Sequence, residues 1–299
     1  MEIRLLHYFY AITKAGTFSK AAEDLFITQS ALSQAIKNLE FSLKCCLFAR
    51  GRKISLTHEG ERLRIHCERI FHLIEDARDD LSKISSGLKG IIRPAILESI
   101  LLFLLPEMIS KFAREFPNVQ FRFSLKETKD IETSVLENET HFGLVSRSPV
   151  SKKLEEKFLA SYPNVLVCPV KRKEKIESLM EELPLFVLGD WQLDSLKAKT
   201  DLFIKFPKIK ILNPVNQVAL LKILVEKGLA LAVLPKFVLG PNLRVLQTFH
   251  DFQMSIIMIR NPARNSFTAV ETFMDFLNDQ FLEEKCMKFL GKIKNTENR

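Results

Sequence analysis

The sequence predicts an α + α/β protein: an N-terminal winged helix-turn-helix, one long linker helix, and a larger C-terminal α/β domain. Three observations predict it. Short amphipathic segments surround a tight turn in the first 45 residues, and one of them carries an Ala-Ala pair. A heptad of apolar residues follows without proline. Beyond residue 90, strand-like and helix-like segments alternate. The expected domains are 1–58, 59–87 and 88–299.

The first helix runs from about Ile3 to Ala15, with Leu5, Leu6, Phe9 and Ile12 on its inner face. Gly16 stands where a helix commonly ends in the left-handed conformation. Thr17 or Ser19 can cap the second helix, Phe18 to about Phe26, which turns Ala21, Ala22 and Leu25 inward. A turn through Ile27 and Thr28 leads to a third helix, from Gln29 or Ser30 to about Leu43.

The third helix has two faces. Leu32, Ala35, Ile36 and Leu39 make a core stripe. Ser30, Ser33, Gln34 and Lys37 make a polar one, with no acid before Glu40. Read alone, that stripe suits an ordinary solvated face. After a tight turn and before the basic residues Lys44, Arg50, Arg52 and Lys53, it suits base edges and phosphates in a major groove. Residues 47–57 read as a two-stranded wing, pinned by Leu47, Phe48, Ile54 and Leu56, with Arg50, Arg52 and Lys53 near its tip for backbone contacts. Residues 1–58 hold eight Lys/Arg and four Asp/Glu, so the basic excess is concentrated where this reading needs it.

From Glu59 to about Ser86 the pattern is one helix. Leu63, Cys67, Ile70, Ile74, Ala77, Leu81 and Ile84 recur at alternating spacings of four and three. Such a seam packs either on its own subunit or on a second copy; a narrow stripe on a lone helix favours the second copy, hence a homodimer. Residues 85–90 are the clearest linker. Strands are then expected at 91–96, 119–125, 142–145, 165–170, 185–188, 208–212, 229–234 and 254–259. Helices are expected near 99–116, 129–138, 173–182, 214–227 and 266–282, and the sheets should be mostly parallel. Crossings between two lobes are expected at Pro163–Asn164 and Arg260–Arg264. Lobe 1 then covers about 91–163 and 265–299, and lobe 2 about 164–264.

Composition narrows the function. With 46% hydrophobic and 27% charged residues the chain is globular, and a formal charge of +8 points to an anionic partner. The N-terminus lacks an apolar run with a cleavage site, and no stretch is long enough to span a membrane. Five cysteines without CxxC spacing fit free thiols in a reducing cytoplasm. Vicinal Cys45 and Cys46 suit a redox sensor, or, better, two small buried apolar positions. The six histidines include no HExxH, and no nucleophile-elbow or Walker pattern occurs, so neither an enzyme, a cofactor nor a metal site is expected. A solute-binding protein would suit the C-terminal two thirds but leaves the DNA-binding head unexplained.

Residues 6–63 resemble the LysR-type transcriptional regulators. They carry AGTFSKAAEDL, then TQSALSQAI, then Leu39-Glu40, Leu47-Phe48-Ala49-Arg50 and Leu56-Thr57-His58-Glu59-Gly60 at the family's spacings. LLPEMISKFAREFPNV and VEKGLALAVLP are similar to its effector-domain segments. The chain departs from the family at Ser30, often proline there, at Lys44–Cys45, usually with a glycine, and at Pro94 and Ala230. The resemblance implies a two-lobed, periplasmic-binding-protein-like effector domain with a small-molecule cleft between the lobes. It places DNA-binding residues at Ser19, Gln29, Ser30, Ser33, Gln34, Lys37, Arg50, Arg52 and Lys53. By position, effector contacts fall on Ser99 and Thr128, with Arg147, Asp190, Trp191 and Asn216 also after strands. The implied partners are double-stranded promoter or operator DNA, a second copy (with further pairing into a homotetramer left open), a small-molecule effector, and RNA polymerase.

Overall fold

The computed structural model describes residues 2–49, 54–81, 88–212, 217–264 and 268–297, without the side chains of 76, 79–81, 189–191 and 284–297. The chain divides into two compact units at Ile84/Ser85.

Unit 1 begins with three helices, α1 (Ile3–Ala15), α2 (Phe18–Asp24) and α3 (Gln29–Leu43). Local chemistry sets their ends. Gly16 takes φ 73° and its N–H closes the last turn of α1 on the Ile12 carbonyl. The Thr17 hydroxyl accepts from the Lys20 N–H, and Thr28 does the same for Ala31. Leu6, Phe9, Ile12, Ala21, Ala22, Leu32, Ile36 and Leu39 fill one core, with Leu47 and Cys67 added from beyond α3. The alanine pair lets α2 lie close against its neighbours.

Among the described residues the wing shows an antiparallel bridge, Phe48 with Leu56, reinforced by the Ala49 N–H on the Ser55 carbonyl at 2.8 Å. Phe48 anchors it by packing on Phe9 and Phe18, each ring centroid 5.4 Å away. Ile54, expected as a third pin, is exposed instead, because Leu47 and Phe48 already occupy the core positions. The expectation that both vicinal cysteines are buried also fails: Cys45 is half-buried and Cys46 exposed, since the chain reverses at Lys44.

α4 (His58–Leu81) starts against this wing. A Cβ on Gly60 would stand 2.1 Å from the Leu47 carbonyl oxygen, so only glycine allows the helix to enter this close.

Unit 2 is α/β. A separate parallel pair joins β1 (Gly90–Ile92) to β3 (Val119–Phe121). The main sheet comprises β2 (Pro94–Ile96), β4 (Ser124–Leu125), β5 (Phe142–Val145), β6 (Glu155–Pro169), β7 (Leu185–Phe186), β8 (Ile211–Leu212), β9 (Leu231–Pro235) and β10 (Leu243–Arg260). Its strand order is β4-β2-β5-β10-β6-β9-β7-β8. The remaining helices are α5 (Glu98–Phe103), α6 (Leu105–Glu115), α7 (Thr128–Leu136), α8 (Ile176–Glu182), α9 (Gly189–Lys199), α10 (Leu202–Lys205), α11 (Val218–Glu226) and α12 (Thr268–Glu297).

The expected parallel pairing holds at the two ends of the sheet, β4-β2-β5 and β9-β7-β8. The middle is antiparallel: β6 and β10 are long crossover strands paired with each other. Segments 165–170 and 254–259, expected as separate strands, are parts of these two. Both crossovers change lobes at one level, where Pro163 and Asn164 face an irregularity between Phe249 and Gln253. The second crossing therefore precedes the expected Arg260–Arg264, because residues 257–260 already pair with β5 in lobe 1. The expected single helix near 99–116 is two, since Pro106 opens a new one and lacks the N–H that would continue α5. Each lobe has its own core, one around Phe112, Phe142 and Phe273, the other in two layers, around Val167 and Leu221 and around Leu166 and Val233.

Lys44 holds φ 55° at the C-cap of α3, a left-handed conformation that strains any side chain with a Cβ. Lys44→Gly should raise the unfolding free energy by about 0.5–1 kcal/mol with an unchanged denaturant slope. A loss of stability in urea unfolding would show that the side chain, not the backbone, governs this turn.

Candidate nucleic-acid interface and effector cleft

α3 carries a core face and an outward face. Gln29, Ser30, Gln34 and Lys37 are exposed and Ser33 is half-buried. Three of these side chains, Gln29, Ser30 and Gln34, are held by neighbours before any ligand arrives. The Ser19 hydroxyl donates to Gln29 Oε1 at 3.2 Å, bringing α2 and the start of α3 together. Gln34 Nε2 donates to Asn38 Oδ1 at 3.1 Å. Ser30 Oγ lies 3.1 Å from Thr28 Oγ1. Arg50, Arg52 and Lys53 lie outside the described residues.

The one acid on α3, Glu40, does not face outward with this stripe. Its Oε1 accepts from the N–H groups of Leu47 and Phe48, at 2.6 and 3.3 Å. The outward face thus stays free of carboxylate, and the first strand of the wing is tied to the recognition helix. Asn38, Phe26 and Phe41 escape sequence reasoning. Asn38 is signalled by its spacing of four from Gln34, which continues the polar stripe.

The heptad on α4 splits. Cys67 is fully buried, its thiol 3.9 Å from the Leu6 carbonyl, and Leu63 and Ile70 pack on the same core. Burial pushes the Cys67 thiol up to about 12. Cys67 is therefore covered by its own subunit, unlike the free intersubunit seam that the spacing suggested, whereas Leu63 and Ile70 are half-buried against the same core. Ile74 is half-buried, Ala77 is exposed, and Leu73 beside them is 63% exposed. Ile84 and the Leu81 side chain lie outside the description.

In unit 2, three expected contacts follow neighbouring strands. Ser99, Thr128 and Arg147 follow β2, β4 and β5, adjacent parallel strands, at their carboxyl ends, where open α/β sheets form clefts. Ser99 is buried in the first turn of α5 and Thr128 is half-buried at the start of α7. Arg147 is exposed, with its guanidinium donating to the Ser148 carbonyl at 3.2 Å. Asp190 and Trp191 open α9 after β7, without described side chains, and Asn216 is outside the description. Gln192, which sequence reasoning missed, is buried: it accepts from Leu188 N–H and donates to the Val233 carbonyl, locking α9 to the sheet. The crossover between lobes is lined by Tyr162 and Phe237 in edge contact at 5.1 Å. Among the described residues no group of three His, Cys, Asp or Glu could hold a metal, and no helix is long and apolar enough to cross a membrane.

A helix-turn-helix unit whose third helix has an acid-free outward face, joined to a two-lobed α/β unit, defines a ligand-responsive class of DNA-binding regulator. Residues 3–61 match the bacterial regulatory helix-turn-helix protein of the lysR family, and residues 85–282 match the LysR substrate binding domain. The chain belongs to the LysR family of transcriptional regulators. It is 24% identical over 294 residues to the HTH-type transcriptional regulator YfeR of Shigella flexneri, covering 93% of this chain and 94% of that one. It is 26% identical over 244 residues to CitR of Bacillus subtilis, covering 79% and 82%. Full-length CbnR complexed with its target DNA has the same fold, with a TM-score of 0.71 at 20% identity over 93% of this chain and 99% of that one. A full-length OxyR from Pseudomonas aeruginosa gives 0.61 at 18% identity, with 94% of each chain covered.

Proposed function

We propose that this LysR-type regulator reads operator DNA with the outward face of α3 in the major groove. The observation that carries this is the acid-free stripe Ser30, Ser33, Gln34 and Lys37, kept so by the inward turn of Glu40. Ser33, Gln34 and Ser30 read base edges; Ser19 and Gln29 fix the helix at the groove; Lys37, Arg50, Arg52 and Lys53 hold phosphates. The protein acts in the cytoplasm, without catalysis, as a homodimer that also contacts RNA polymerase. The exposed Leu73 and Ala77 and the half-buried Ile74 support pairing through the far half of α4.

Binding to the chain's own upstream DNA tests this reading. Gln34→Ala should lose about 1–3 kcal/mol on the specific site and little on random DNA. The footprint should cover two half-sites a whole number of helical turns apart. Equal losses on both DNAs would remove Gln34 from base readout, and a single protected half-site would remove the dimer.

A small polar metabolite bound at Ser99, Thr128 and Arg147 shifts the lobes, and it controls DNA binding only through unequal affinity for the two lobe arrangements. The carboxyl ends of β2, β4 and β5 support this site. In a thermal-shift screen of metabolites on the full chain, a stabilising compound should act more weakly on Ser99→Ala. Equal stabilisation of both proteins would place the ligand elsewhere.

A further inference from the structure

Phe26 sits in the turn between α2 and α3, two residues before the Thr28 cap of the recognition helix. The turn is closed by the Phe26 N–H on the Glu23 carbonyl and the Ile27 N–H on the Ala22 carbonyl, both at 3.0 Å. That closure forces φ 54° at Phe26, a left-handed conformation that glycine or asparagine adopts far more readily. The ring gains nothing within the subunit in return, being 95% exposed. Every other phenylalanine before α3, Phe9 and Phe18, is packed on Phe48. A strained backbone that carries an unburied aromatic ring marks a position worth a functional reading.

The position says which partner. The neighbours of Phe26 in the chain on the helix side, Thr28, Gln29 and Ser30, are the exposed polar residues that open the reading face. The N-terminal residues of a recognition helix are those that approach base edges. An apolar ring there meets one apolar feature of the major groove, the C5 methyl of thymine. We infer that Phe26 is a specificity-determining residue, contacting a thymine methyl at the edge of each half-site. This rests on the reading that α3 enters the major groove.

The test uses the full chain and its footprinted upstream site, with each thymine of a half-site replaced in turn by deoxyuridine, which lacks the methyl. At one thymine, the wild type should lose roughly five- to tenfold in affinity. Phe26→Ala should lose a similar factor on the thymine duplex and be indifferent to that deoxyuridine. Phe26→Gly, which suits the left-handed turn, should fold with undiminished stability and show the same indifference, excluding misfolding as the cause. Unchanged affinity in Phe26→Ala, or equal sensitivity to deoxyuridine in variant and wild type, overturns the assignment. Unchanged DNA affinity combined with lost transcription by purified RNA polymerase overturns it too, by giving the ring a protein partner. Gln34→Ala in the same assay separates the two claims: sequence preference unaffected by that change would defeat the placing of α3 itself.

Discussion

The carboxylate of Glu40 is the constraint on which the DNA-binding unit depends. It accepts two backbone N–H groups, from Leu47 and Phe48, just where the chain leaves the recognition helix. Charged acceptors make stronger bonds than neutral ones, and a buried N–H left without a partner is costly. This clasp does two things together. It removes the only acid of α3 from the outward face of that helix, and it ties the wing to the helix. From there Thr57 continues the join, donating its hydroxyl proton to the Cys46 carbonyl and accepting from the Gly60 N–H. Recognition helix, wing and α4 are thereby one hydrogen-bonded body.

The ligand-binding unit depends on a different device. β6 and β10 run through both lobes, so each lobe is half of one continuous sheet with parallel strands at its outer end. Their pairing is interrupted where they pass between the lobes, at Pro163–Asn164 and Phe249–Gln253. Asn164 braces it from inside, its amide donating to the Phe252 carbonyl at 3.1 Å. Ser99, Thr128 and Arg147 all fall in one lobe, just after the neighbouring strands β2, β4 and β5.

What is legible in the sequence is what local chemistry decides. Gly16, Thr17 and Thr28 fix helix ends through bonds within four residues, and α1 and α3 fall where the spacing places them. Pairing between distant segments is less legible. The start of β6 carries Glu155, Glu156 and Lys157, and the middle of β10 carries His250 and Asp251, polar residues that break the alternation expected of a half-buried strand. The heptad of α4 is plain as an apolar stripe, but periodicity does not name what covers it, and the α1 backbone at Leu6 claims Cys67. The inward turn of Glu40 is likewise hidden, because its partners are backbone groups that every residue but proline offers.

The Glu40 clasp, rather than the charge of that residue, organises the DNA-binding surface. The affinity of Glu40→Ala and Glu40→Gln for the upstream site and for random DNA tests this directly. Removing a negative charge near a DNA-binding face should on electrostatic grounds strengthen binding to any sequence. The clasp predicts the reverse for alanine, a loss of about tenfold or more on both DNAs, with glutamine, which keeps an acceptor oxygen, within about threefold of the wild type. Binding by Glu40→Ala that equals or exceeds the wild type on both DNAs would contradict the account.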